Sequence, residues 1–82
     1  MAKRTEYAAL GEWIRKRRED AGLGQKAVAR ELGHHEQWLH RIENGTQRID
    51  VVDFMDLLKV MEIDPKTVYS DLARALSTKR KH

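Results

Sequence analysis

The chain has 82 residues, with 16 lysines and arginines against 13 acids for a formal net charge of +3. That length fits one domain, near the lower size at which a single core holds a fold unaided, and the absence of cysteine excludes disulfides and Cys-based zinc sites. No stretch approaches the roughly 18 apolar residues of a membrane span, and the opening MAKRTEYAAL lacks a signal peptide's apolar region, so a soluble cytoplasmic protein is expected.

Residues 1–6 read as a loose lead-in, in which Lys3 and Arg4 are available as a basic arm. Thr5 is placed to cap a first helix over about 5–21. Tyr7, Leu10, Ile14 and Ala21 supply its inner face, with Trp13 beside them, and Gly22 stops it. The run Arg15-Lys16-Arg17-Arg18 cannot point one way, because successive helical side chains lie about 100° apart; at least one base falls near the core.

Next comes QKAVARELGHHEQWLHRIENG, which reads as two short helices, about 25–32 and 35–43, joined by a glycine turn. Val28, Ala29 and Leu32 make one apolar stripe, and Gly33 follows where a left-handed residue stops a helix at no Cβ cost. Leu39 and Ile42 restart the stripe, and Asn44-Gly45 ends it. Glu36, Gln37, His40 and Arg41 are left on one outer polar face. Such a face is ordinarily solvated. Glu, Gln and Arg on a short helix are also the residue types that bond base edges in a DNA major groove.

A loop over 46–49 leads to a fourth helix, about 51–62, capped by Asp50 with Asp53 at the positive end of its dipole. Val51, Phe54, Leu57, Leu58 and Met61 repeat at helical spacing and are expected in the core. Asp64-Pro65 starts a fifth helix, about 65–76, as an N-cap followed by proline at the first turn. Val68, Leu72 and Leu76 line it with Tyr69 alongside, and that stripe has two destinations: the domain's own core or a second copy of the chain. One domain over 1–76 is expected, followed by a basic, disordered tail at 77–82.

The net charge hides an asymmetry. Residues 1–48 carry ten bases against seven acids, residues 49–76 three against six, and Lys79, Arg80 and Lys81 close the chain. A basic front and an acidic back suit an anionic partner approaching from one side.

An enzyme is not expected. Ser70 and Ser77 are the only serines and neither sits in a nucleophile motif. Gly22 and Gly24 do not extend to a phosphate-binding fingerprint, and Asp50, Asp53 and Asp56 lie at a helix start, where acids serve caps and dipoles. His35 and His40 are five apart, off the four-residue spacing of helical metal ligands, so neither a metal nor another cofactor is expected.

The ordered set Leu10, Ile14, Arg18, Gly22-Leu23, Gln25, Val28-Ala29, Leu32-Gly33, Leu39, Arg41-Ile42-Glu43, Gly45 and Asp50 through Pro65 resembles the helix-turn-helix domains of Cro and the phage repressors, the lambda-repressor-like XRE family. The resemblance covers roughly residues 10–72. It implies an all-α bundle of about five short helices that docks its third helix in the major groove of double-stranded DNA, usually as a homodimer. It implies a transcriptional regulator, a repressor before an activator, with DNA contacts from Gln25, Lys26, His35, Glu36, Gln37, His40, Arg41, Thr46, Gln47 and Arg48. It also pairs Arg18 with Glu43 as a structural ion pair. Two departures stand out: Gly24 and His35 occupy helix starts where the family favours a hydroxyl residue. Related domains also serve as antitoxins that bind a toxin as well as DNA, or as controllers of restriction–modification systems. Glu36 on the reading face, an acid that repels phosphate, keeps a protein-binding role in view.

Overall fold

The computed structural model describes residues 5–77, and the Lys3–Arg4 arm and all but the first residue of the tail lie outside that range. Five α-helices follow one another: α1 (Thr5–Asp20), α2 (Gln25–Glu31), α3 (Glu36–Glu43), α4 (Val51–Val60) and α5 (Pro65–Ser77). There is no strand among the described residues. The chain is an all-helical globule, and no described helix is long and apolar enough to cross a membrane.

Helices of seven and eight residues, the lengths of α2 and α3, are marginal in water on their own, so packing must hold them. Val28 and Ala29 of α2 meet Leu39 and Ile42 of α3 in one cluster with Trp13, Ile14, Leu57, Leu58, Met61 and Val68. Burying one such side chain stabilises by roughly 1.5–3 kcal/mol. α3 packs on both α1 and α2, α5 lies along α1, and α4 touches α2. The arrangement leaves one side of α3 bare.

The helices stop by one device. After α1, α2, α3 and α4 the chain turns left-handed at Gly22, Gly33, Gly45 and Glu62. At each stop a 6→1 bond closes the turn: Leu23 N–H to Arg18 O, His34 to Ala29, Thr46 to Arg41 and Ile63 to Leu58, all within 2.9–3.1 Å. Three stops use glycine; the fourth holds a glutamate at φ +56°. α5 starts as its sequence suggests, with Asp64 Oδ1 accepting from Lys66 N–H at 2.9 Å.

Three expectations are corrected. Thr5 is already helical, so it is not the cap. Ala21 lies exposed in the turn, because α1 ends a residue earlier; Ile14 and Trp13 are buried as expected, joined by Ala9. Val51 is 70 % exposed, one turn too early on α4 to reach the core that Leu57, Leu58 and Met61 fill. On α5 the stripe divides: Val68 is buried in the core, and Tyr69 is 82 % exposed.

Gly11 is a position that spacing alone did not single out. It is buried in the middle of α1, where the C-terminal turn of α3 presses against it. A Cβ there would meet the carbonyl oxygens of Ile42 and Glu43 at contact distances no real methyl group shows.

Candidate nucleic-acid interface

The third helix is held from behind by a buried polar cluster. Arg18 of α1 donates from Nε to Glu43 Oε2 at 2.7 Å and from Nη2 to Glu43 Oε1 at 3.0 Å. Its Nη1 donates to the Leu23 carbonyl at 2.7 Å, fixing the turn after α1. Gln25, the first residue of α2, gives the carboxylate a further donor, Nε2 to Oε1 at 2.8 Å. Arg18 is 8 % and Glu43 6 % exposed. The Glu43 hydrogen bond raises the Arg18 guanidinium above its ordinary pKa, against burial, which pulls the other way. An acid at the last residue of a helix opposes the dipole; here the two partners compensate. Three helices, α1, α2 and α3, are tied at one point.

A second tie fixes the opposite end of α3. The His34 ring, in the turn before it, stacks on Trp38 at 3.8 Å between centroids and 6° between planes. Its Nε2 donates to Asp53 Oδ2 on α4 at 3.1 Å. Asp53 therefore serves more than the dipole, and its own N–H is taken by the Asp50 cap at 2.7 Å. No group of three or more metal-ligating side chains is assembled among the described residues.

With its inner face clamped, α3 presents Glu36, Gln37, His40 and Arg41 outward, all four exposed. The His40 ring lies against Asn44, whose amide nitrogen is 3.1 Å from Nε2. Among the described residues, Glu36, Gln37 and Arg41 form no side-chain hydrogen bond or ion pair. His35 and Gly24 stand as the N-caps of α3 and α2, and neither makes a side-chain capping bond. In the following loop the hydroxyl of Thr46 donates to the Arg41 carbonyl at 3.2 Å, Gln47 is half-buried, and the Arg48 guanidinium lies 5.5 Å over the Tyr7 ring. Lys26 is exposed on α2. The Gln25 amide reaches the last residue of α3, Glu43.

Two features escaped the spacing of the sequence. Trp38 interrupts the polar helix but is drawn back onto His34; an aromatic four residues from a histidine was the available signal. Gly11 offered only an unexplained glycine inside a helical pattern, the usual mark of a close backbone approach.

Comparison with known proteins adds one match and one absence. No curated protein matches the chain. The family model for the helix-turn-helix domain matches residues 9–80, which takes in all of α2 through α5 and most of α1. The chain belongs to the helix-turn-helix domain family, in keeping with the Cro-type resemblance of its sequence.

Proposed function

We propose that the protein is a sequence-specific DNA-binding transcriptional regulator, a repressor that reads a palindromic operator as a homodimer. The observation that carries this reading is the bare polar face of α3, whose far side is buried and tied at both ends. A helix held this way meets a groove without first paying to be ordered. Arg41 bonds guanine O6 and N7 in a bidentate fork, and Glu36 accepts from cytosine N4. Gln37 and His40 lie between them on the helix surface. Gln25, Lys26, His35, Thr46, Gln47 and Arg48 border this face as phosphate donors that fix register without reading sequence.

Homodimerisation is proposed for the outer side of α5. Tyr69, Leu72, Ala73 and Leu76 line an open apolar groove of about 340 Å³ there. Two copies joined through that face would set half-site centres about 10–10.5 bp apart, one turn of the duplex. The same groove favours the second reading, a partner protein such as a toxin bound at α5 while α3 holds DNA.

Selection of binding sites from random duplex DNA tests the first reading. Arg41→Ala is expected to cost about 1–3 kcal/mol at the preferred operator and to relax one base pair per half-site. Glu36→Gln is expected to change which base is preferred while leaving the fold intact. If both variants return the parental site, these side chains are not readers. Sedimentation with footprinting tests the second copy: a monomer protecting a single asymmetric half-site refutes it.

A further inference from the structure

The seven described arginines fall into two sets. Arg15 pairs with Glu19, Arg17 and Arg74 with Asp71, and Arg18 with Glu43. These four lie on α1 and α5. Arg30, Arg41 and Arg48 have no carboxylate partner among the described residues. Arg41 and Arg48 already belong to the proposed DNA face. Arg30 is the third uncompensated guanidinium, and nothing so far uses it.

Its surroundings make it more than a solvated base. Lys26 and Arg30 stand four residues apart on α2, so their side chains lie one above the other. Like charges at that spacing repel, which an isolated domain has no reason to keep. Between α2 and the start of α3 the surface sinks into an open groove of about 420 Å³, lined by Lys26, Arg30, His34, His35 and Glu36. One wall does not move freely, because His34 is stacked on Trp38 and bonded to Asp53. Glu36 puts a negative charge at the α3 edge of the groove. An anion entering the groove would be drawn to the Lys26–Arg30 edge, away from Glu36.

We infer that this groove takes a phosphate of the DNA backbone, with Arg30 and Lys26 as its two cationic donors. The inference rests on the DNA-binding reading and extends it: the backbone follows α2 beyond its first turn, so each half-site is gripped outside the bases that α3 reads. A guanidinium offers a phosphate two parallel N–H donors, a geometry that lysine lacks.

The test measures binding of wild type, Arg30→Ala, Arg30→Lys and Arg48→Ala to the selected operator and to unrelated duplexes, across a salt series. Arg30 is exposed, and thermal melts of each variant establish that the fold is kept. Arg30→Ala is expected to weaken binding about tenfold on every duplex alike. The slope of log affinity against log salt should become shallower by about 0.9 per subunit. Arg30→Lys restores most of the slope. Ethylation interference should show one further phosphate per half-site for wild type that Arg30→Ala no longer needs. An unchanged slope in Arg30→Ala beside a shallower one in Arg48→Ala overturns the inference and leaves the DNA reading standing. A wild type that binds no duplex at all overturns both. Saturable binding of inorganic phosphate at matched ionic strength, lost in Arg30→Ala without any effect on DNA, also overturns it, since the groove would then serve a small free anion.

Discussion

Gly11→Ala sets two physical effects against each other. In an exposed helix interior the change should stabilise by about 0.5–1 kcal/mol, because alanine loses less backbone entropy on folding. At this position the new methyl would sit 2.5 Å from the Glu43 carbonyl oxygen and 2.8 Å from its carbon, with the Ile42 carbonyl oxygen closer still. Ordinary contact begins near 3.4 Å, so α1 and α3 must separate by most of an ångström. The obstacle is backbone at the last turn of α3, which has no rotamer to change. Overpacking of this kind costs about 1–3 kcal/mol, and more where nothing yields. The separation would also stretch the Arg18–Glu43 bonds at 2.7 and 3.0 Å. A net destabilisation of about 2–4 kcal/mol is expected, after subtracting the propensity gain. Urea denaturation followed by circular dichroism measures it, with Gly24→Ala as the control. A methyl group at Gly24 would meet nothing within 4 Å, and the backbone there is ordinary and extended. Gly11→Ala should lower the midpoint markedly while the slope m stays near wild type. A variant as stable as wild type would refute the idea that this glycine exists to admit α3.

Glu43→Gln keeps the shape of the buried cluster and removes its negative charge, stranding a guanidinium that is 8 % exposed. A loss of about 3–5 kcal/mol is expected by denaturant titration, and Arg18→Met should cost a similar amount, yet Arg18→Met combined with Glu43→Leu should lose far less than the sum of the separate changes. Additive losses would mean that the two residues act independently. At the end of α4, Glu62→Gly relieves a left-handed residue at φ +56°. The relief of about 1–2 kcal/mol is partly offset by the freedom glycine gains when unfolded, leaving about 0.5–1 kcal/mol of stabilisation. Calorimetry should show Tm raised by about 3–6 °C, and an unchanged or lower Tm would count against strain at that stop.

Much of this fold is written in local pattern, and the exceptions are instructive. Val28, Ala29, Leu39 and Ile42 announce themselves by helical spacing and are all buried. The glycine stops at 22, 33 and 45 announce the turns, since an αL residue at no steric cost is a property of glycine itself. Arg18 and Glu43 are different. They lie 25 residues apart, and no periodicity joins them; only the resemblance to a family did so. Val51 fails for a further reason. It shares a face with buried Leu58, seven residues on, but stands in the first turn of α4, short of the core, and is 70 % exposed. A stripe read from spacing gives a helix a face without giving that face a partner.

The same distinction applies to the outer face of α3. Four polar residues at 36, 37, 40 and 41 are legible as one surface because helix geometry puts them there. That the surface is rigid is not legible, because rigidity comes from contacts far off in sequence: Arg18 and Gln25 on Glu43 at one end, His34 between Trp38 and Asp53 at the other. A solvated helix face needs neither tie. In this chain α3 has eight residues, too few to be stable alone, and two unsupported N-caps precede α2 and α3. The weak starts are compensated by ties at both ends of the helix that carries Glu36 and Arg41. Its outer donors and acceptors are exposed and hydrated in the free protein, and a helix already held in place offers them to a partner without first having to be ordered. That support, more than the presence of polar residues, is what argues for a groove as their partner.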